Sequence, residues 1–363
     1  MEKSSEEFER IGRKKLAVPN SRRCGTIHCM DWKRTREALA DEPAYRMRQV
    51  KKALFVDLIE NWEEVTVLPK VLRDKLATEY PLGITAKTLV SSDNATVKAL
   101  ITFDDGKQVE TVLMRHNSGR NTVCVSSLVG CPMGCTFCAT ASMGLVRKLT
   151  ADEIVLQVLF FARLLKSEKV RVGSVVYMGM GEPFLNYEAV MESVHILHDP
   201  EMFGIGARHI SISTCGILEG IQRLANEDLP VNLAVSLHAS NDVVRGEIMP
   251  IGRTYSIEKL MEVIDEYVRV TKRKVMFEYL LVDGVNDTDD HAIELGKILK
   301  GKLCMVNLIS YNPTGKYTAT SEKQINHFKS LLERAGVDVA IRYRFGRDIE
   351  GACGQLATRK SNE

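Results

Sequence analysis

Cys131, Cys135 and Cys138 stand at C-x3-C-x2-C spacing in a stretch of small and turn-forming residues, with Pro132, Gly134 and Gly144 around them and Phe137 just before the last thiol. Three thiols this close in sequence can face one metal centre, so the chain must fold around that loop. Structural zinc usually takes four protein ligands, and an iron–sulfur cube is usually held by four thiolates. Three thiolates on one loop leave one corner of a cube open, where an iron can bind a reactant. The small flanking residues and the shielding that Phe137 offers suit a cluster. A zinc knuckle and three incidental thiols are the competing readings.

The remaining composition narrows the setting. Nine cysteines without a signal peptide or an even framework argue against secretion. In a reducing compartment such cysteines are more often metal ligands or catalysts. No apolar run approaches the roughly 20 residues of a membrane span, so a cytoplasmic protein with no membrane partner is expected. A net charge of +2 means that any nucleic-acid contact must come from local basic patches. A length of 363 residues, 45% of them hydrophobic, holds one large domain and a small one.

Residues 1–32 read as a polar, poorly ordered leader. Its basic arm (Arg10, Arg13, Lys14, Lys15, Arg22 and Arg23) is either a solvated tail or an RNA contact. Cys24 and Cys29 flank His28, and no further metal ligand stands nearby. Residues 33–83 carry helix-period apolar positions, with Arg46, Arg48, Lys51 and Lys52 forming a basic edge. This is a small helical accessory domain, for packing or for RNA. Residues 84–120 change to strand period, with a hairpin turn at Asp104, Asp105 and Gly106, and form a short β extension or linker.

From 121 to 357 strands and helices alternate. Apolar runs fall at 123–128, 174–178, 209–213, 231–237, 275–282, 304–309 and 337–343, with helical stretches that include 151–166, 187–197, 257–271, 287–299 and 321–335. Thr150 and Glu153 open the first helix as a capping box. The alternation predicts an α/β fold with a parallel sheet and outer helices. About six such repeats are too few for an eight-stranded barrel, so a partial (β/α)6 barrel is expected, with an open doubly wound sheet as the other arrangement. Residues 358–363 form a tail.

In either arrangement ligands bind at the C-terminal ends of parallel strands, and here those ends are polar. They carry Gly179-Met-Gly-Glu182, Ser213 and Thr214, Ser236 to His238, and Tyr311 to Pro313. Glu182 can hold an ammonium group, or be an exposed acid on a βα turn. Ser213, Ser236 and Asn312 can bond a carboxylate or ribose, or simply cap turns. His238 is a ligand or a structural histidine. Glu110 reads most plainly as a solvated strand glutamate. Cys353, in Gly351-Ala-Cys-Gly-Gln-Leu, has small neighbours that leave its sulfur accessible. Cys124 is a second singular thiol, while Cys215 and Cys304 read as buried packing residues.

These motifs, together with Cys124-Val-Ser-Ser, Ser236-Leu-His-Ala, Glu278-Tyr, Gly284-Val-Asn-Asp and Ala352-Cys-Gly-Gln-Leu in that order, resemble those of the radical S-adenosylmethionine (SAM) RNA adenine methyltransferases over roughly residues 40–357. The resemblance implies a radical SAM barrel. It assigns Cys131, Cys135 and Cys138 to a [4Fe-4S] cluster. It assigns Gly181, Glu182, Ser213, Ser236, Leu237, His238 and Asn312 to SAM, with two SAM used per turnover. It makes Cys353 the methyl carrier, Cys124 its transient disulfide partner and Glu110 the proton acceptor. It also implies RNA binding by the N-terminal module, and an electron donor such as flavodoxin or ferredoxin.

The implied activity is methylation of carbon 2 of an adenosine in 23S ribosomal RNA and in transfer RNA, by a monomer. A related branch modifies carbon 8, and the 115–120 loop matches neither branch decisively. Carbons 2 and 8 lie between ring nitrogens and are poor nucleophiles, which is why a radical route is needed. Methylthiolation would normally require a second cysteine triplet, and none is present. An iron–sulfur or zinc RNA-binding protein without catalysis is the non-enzyme alternative.

Overall fold

A computed structural model describes residues 32–342 and 345–358. The expectations for the leader arm, for Cys24, His28 and Cys29, for Tyr343 and for most of the tail lie outside the described residues.

Ten strands form one continuous sheet in the order β1-β2-β3-β4-β7-β8-β9-β10-β11-β12. Its first part is antiparallel: β1 (Thr85–Val90), β2 (Thr96–Thr102), β3 (Gln108–Arg115) and β4 (Asn121–Cys124) pair in sequence. The β2–β3 turn falls at the Asp-Asp-Gly stretch, with Gly106 at φ 74°. From β4 the sheet is parallel through β7 (Ser174–Tyr177), β8 (Ile210–Thr214), β9 (Asn232–Ser236), β10 (Val275–Leu281), β11 (Cys304–Ser310) and β12 (Asp338–Ile341). Six strand–helix units and a seventh strand thus make an incomplete barrel. The strands follow one another without reversal, whereas a doubly wound sheet turns back on itself at a switch point.

Two expectations are modified. The apolar run 123–128 is not one strand. It divides into β4 and β5 (Leu128–Cys131), which pairs with β6 (Gly144–Lys148) as a separate two-stranded ribbon. Between them, Ser126 turns inward: its backbone N–H donates to Gln157 Oε1 at 2.8 Å and its hydroxyl to the Glu110 carbonyl at 2.6 Å. The β extension, for its part, is hydrogen-bonded into the main sheet through β3 and β4.

Helices cover the outside. The N-terminal module contains α1 (Trp32–Ala38), α2 (Ala44–Lys51), which runs into a π turn at Lys52–Val56, and α3 (Lys70–Glu79). The crossovers carry α4 (Ala151–Lys166), α5 (Tyr187–His198), α6 (Leu218–Ala225), α7 (Asp242–Ile248), α8 (Ile257–Thr271), α9 (Asp289–Leu299) and α10 (Glu322–Arg334). Thr150 and Glu153 close the capping box of α4.

The N-terminal module shares the main apolar core. Trp32 meets Phe55 edge-on at 5.3 Å, and Phe55 meets Phe203 at 5.4 Å. Arg163 of α4 reaches into the module and donates to the Leu82 carbonyl at 2.8 Å and to that of Ile59. The basic edge is partly committed to internal contacts. Lys51 bonds Asp199 at 3.0 Å and Glu201 at 3.3 Å across the module boundary, and Lys52 pairs with Asp57. Arg46 donates to the Val67 carbonyl at 2.8 Å.

Truncating Arg163 to Ala removes both charged donors from the Leu82 and Ile59 carbonyls, each worth about 1.5–3 kcal/mol. The expected result is a lower thermal midpoint, with limited proteolysis cutting first within residues 32–83. A cleavage pattern unchanged from the parent would show that Arg163 does not hold the module.

Candidate active site

The strand ends and the cysteine loop enclose one cavity. Cys131, Cys135 and Cys138 line it beside Gly181, Glu182, Ser213, Ser236, His238 and Cys353. These nine were expected at a site from the sequence. Cys124, Glu110, Leu237 and Asn312 were too, but they are not among its lining residues.

The cysteine loop is shaped by the β5–β6 ribbon. Gly130 takes φ 77°, and a Cβ there would lie 1.9 Å from the Gly144 carbonyl oxygen, so only glycine lets the two strands close. Beyond the ribbon, Thr136 ties the loop to the end of α7, its N–H donating to the Ile248 carbonyl at 2.9 Å, and its hydroxyl bonds Tyr317 Oη at 2.7 Å. Burial pushes the Cys131 thiol up to about 11 and raises Cys135 further, with Cys138 and Cys131 adding to the rise at Cys135. Without a cation these thiols stay protonated; a bound metal deprotonates its thiol ligands outright. Among the described residues no three His, Cys, Asp or Glu side chains converge tightly enough for one metal ion. Three thiols along one cavity wall have the donor chemistry that would hold an iron–sulfur cluster.

Glycines in the next loop serve packing before any ligand. A Cβ on Gly179 would meet the Val125 carbonyl oxygen at 2.7 Å, and one on Gly181 (φ 102°) would meet Leu128 at 2.6 Å. The loop therefore lies directly on the 125–128 segment and carries Glu182 to the cavity. Glu182 is 4% exposed, and its carboxylate accepts the N–H groups of Phe184 at 3.1 Å and Cys215 at 2.7 Å. Burial raises its pKa, and those N–H groups act in the opposite direction. The Thr214 and Cys215 side chains also hydrogen-bond the carboxylate.

His238 sits at φ 55°. Its Nδ1 accepts the Leu280 N–H at 2.9 Å, which leaves the proton of the neutral ring on Nε2. Phe137 packs edge-on against the ring at 5.0 Å. The Leu237 side chain is fully buried, and its N–H is taken by the Glu278 carbonyl at 3.1 Å, so only its backbone is near the site. Asn312 donates Nδ2 to the Cys353 carbonyl at 3.1 Å, while its Oδ1 is buried without a partner. An orphaned acceptor here is what a ligand hydroxyl or amine would satisfy. The acid, the two serines, the neutral imidazole donor and this acceptor fit an amino acid joined to a nucleoside.

Cys353 is exposed, as its small neighbours suggested, and Cys124 is buried; both are free thiols. Burial pushes Cys124 up to about 12, and nearby Cys353 adds to the rise. Although the residue is exposed over its surface, protein crowded around its sulfur raises the Cys353 thiol, while the Arg342 guanidinium pulls it down. Arg342 was not foreseen. It follows β12, and its Nη1 lies 3.3 Å from Met178 Sδ and 3.4 Å from Glu278 Oε2. Glu278 in turn accepts from Asn307 Nδ2 at 2.9 Å. The motif containing Glu278 was visible in the sequence, but nothing local signalled its arginine. Cys304 is buried as expected; Cys215 is buried too, yet lines the cavity.

Glu110 is not solvated. It is 7% exposed and pairs with Lys98 at 2.9 Å. Its other oxygen accepts the Ala357 N–H at 3.0 Å.

The family model of the radical SAM superfamily matches residues 125–296. A protein of Geobacillus kaustophilus (strain HTA426) named "Probable dual-specificity RNA methyltransferase RlmN" is 43% identical, covering 89% of each chain. One of the same name from Bacillus cytotoxicus is 45% identical, covering 89% of this chain and 90% of that one. The crystal structure of a radical SAM methyltransferase from Sphaerobacter thermophilus superposes with a TM-score of 0.86 at 45% identity, covering 92% of this chain and 99% of that one.

The His238 environment gives a pH test. Burial first, and Arg245 second, lower the imidazole to about 3, against about 6.5 in an unfolded chain. The unfolded state binds the proton more readily, so this contribution to stability is present above about pH 6.5 and is lost as the pH falls toward 3. In metal-free protein, His238→Asn, which tolerates the positive φ, should remove up to about 1.4 kcal/mol per pH unit from the stability slope in that window. Parallel slopes for parent and variant would show that His238 does not set it.

Proposed function

Because this chain belongs to the radical SAM RNA methyltransferase family, we propose that it methylates carbon 2 of an adenosine in 23S ribosomal RNA and in transfer RNA. What supports this reading is that Cys353, at the cavity, and Cys124 are both free thiols that lie near each other, with the Arg342 guanidinium near both. A cluster-binding loop alone would serve many radical reactions; the thiol pair beside it suits a methyl group carried on the protein.

The family implies a [4Fe-4S] cluster and SAM. Cys131, Cys135 and Cys138 would hold the cluster, and Gly181, Glu182, Ser213, Ser236, His238, Asn312 and the Leu237 backbone would hold SAM. When bound, they supply an electrophilic methyl group and, from a second SAM after one-electron reduction, a carbon radical that takes hydrogen from that methyl. The electron comes from a donor such as flavodoxin or ferredoxin.

In this reading the chain's own residues do the rest. Cys353, as thiolate, accepts the methyl group, and Arg342 favours that thiolate by charge. The methylene left after hydrogen removal joins the base and tethers it to Cys353. The adduct then gives up one electron, which the oxidised cluster would take back, and Glu110 accepts the proton from the substituted ring carbon. The Cys124 thiolate next attacks the Cys353 sulfur. A disulfide forms, the bond from that sulfur to carbon breaks, and the released carbon is protonated to methyl. A monomer suffices, because every group named lies in one chain. No helix among the described residues is long and apolar enough to cross a membrane.

Two variants separate the thiol roles. Cys353→Ala should lose the S-methyl intermediate and all turnover. Cys124→Ala should still form the tether and be unable to resolve it, so an RNase-sensitive shift on a denaturing gel should accumulate and require SAM, reductant and Cys353. Normal turnover by Cys124→Ala would sink the pairing. Mass spectrometry of nucleosides from the treated RNAs reads the position: 2-methyladenosine is expected, and 8-methyladenosine would assign the chain to the other branch.

A further inference from the structure

Lys98 of β2 and Glu110 of β3 project from the same face of adjacent antiparallel strands, two positions apart in register. Their side chains are 8% and 9% exposed and meet at 2.9 Å. Burying such a pair costs desolvation, and burial alone is weak evidence that it adds stability, which raises the question of what else it holds. Its remaining contacts converge on one segment. Lys98 Nζ donates to the Glu350 carbonyl at 3.3 Å, and Glu110 Oε2 accepts the Ala357 N–H at 3.0 Å. Glu350 and Ala357 bracket Cys353, whose own carbonyl is held by Asn312 at 3.1 Å.

We propose that the Lys98–Glu110 pair is a two-ended clamp that stations the Cys353 segment over the cavity, so that both are positioning residues for that thiol. This rests on the reading of Cys353 as methyl carrier, since a clamp there has little other purpose. One basic and one acidic side chain grip the two ends through the backbone, so the segment's side chains remain free for chemistry. The grip depends on charge. A proton taken up by Glu110 replaces the carboxylate with a neutral acid, and Lys98 then loses its counterion. The segment is thereby held less tightly once the proton has left the base, at the point where the Cys353 sulfur has to meet Cys124.

The test uses the full-length, cluster-reconstituted protein without RNA. Amide hydrogen exchange across residues 350–358 is measured for Lys98→Met, Lys98→Arg, Glu110→Gln and Ala357→Pro. The last removes the N–H that Glu110 accepts, along with fixing φ at 357 and restricting Leu356, and leaves the ion pair itself intact. Exchange should quicken about tenfold or more in Lys98→Met, Glu110→Gln and Ala357→Pro, as expected for loss of a hydrogen bond to a charged group. Lys98→Arg should keep the parent's protection. Cys353 S-methylation, followed by intact mass, should slow in Lys98→Met and Ala357→Pro with SAM affinity unchanged.

Parent-like protection of 350–358 in Lys98→Met and Ala357→Pro would overturn the clamp and leave Glu110 a proton acceptor alone. Loss of protection throughout β2 and β3 in both would overturn it as well, marking the pair as a core contact. Should Lys98→Met fail to fold, Ala357→Pro decides by itself. The exchange readout needs no methyl transfer, so a protein that never methylates RNA would refute the proposed function without touching the clamp.

Discussion

The backbone ladder that runs unbroken from β1 to β12 is the constraint on which the site depends. Parallel pairing from β4 onward fixes every strand's C-terminal end at one rim. Groups as distant in sequence as Cys131 and Arg342 can meet only because that register holds. Local fit then sharpens the arrangement: the backbones of Gly179 and Gly181 lie so close to 125–128 that no Cβ would fit. The antiparallel strands continue the same ladder through the β3–β4 pairing. That is why a lysine and a glutamate from the extension reach Glu350 and Ala357.

Around the cavity, charged groups are held by fixed protein partners. Glu182 is fixed by two backbone donors, and His238 is kept neutral with its proton directed by the Leu280 N–H. Arg245, itself fully buried, donates to the Cys215 carbonyl at 2.8 Å and to that of Tyr255 at 3.3 Å. Arg342 is balanced by Glu278, which Asn307 holds from the neighbouring strand. Groups tied in this way do not have to reorganise when charge moves on a bound reactant, which is the physical basis of electrostatic preorganisation.

What was legible in the sequence was local or periodic. The cysteine spacing, the Thr150–Glu153 cap, the Asp-Asp-Gly turn and the polar strand ends all announce themselves within a few residues. Contacts across the sheet did not. Glu110 looks like a solvated strand glutamate until β2 and β3 are put in register, and only then does Lys98 reach it. Arg342 follows an ordinary strand and acquires meaning from Glu278, Cys124 and Cys353. The run 123–128 looks like one strand because Val125 and Leu128 are apolar, yet Ser126 and Ser127 turn it aside. Lys51 seemed part of a free basic edge; its acidic partners lie about 150 residues on in the chain.

The thiol proposed to carry the methyl group lies on neither a helix nor a strand, and chemistry supplies a reason. In the proposed cycle its sulfur is first a nucleophile toward SAM and later the electrophile that Cys124 attacks, so it has to serve two geometries. A residue fixed in the ladder could satisfy only one. The segment around it is secured mainly by directed hydrogen bonds: the Gly351 N–H to the Gly346 carbonyl at 2.8 Å, the Ala139 N–H to the Gly354 carbonyl at 2.7 Å, and Gln355 Nε2 to the Pro313 carbonyl at 3.2 Å. Among residues 351–358 only Ala352 and Leu356 are buried. Hydrogen bonds hold one geometry firmly and can be exchanged a few at a time, whereas an apolar face gives up its burial all together. Segments with few buried apolar contacts open at lower free energy than the core, so this stretch has the stability that a thiol with two partners requires.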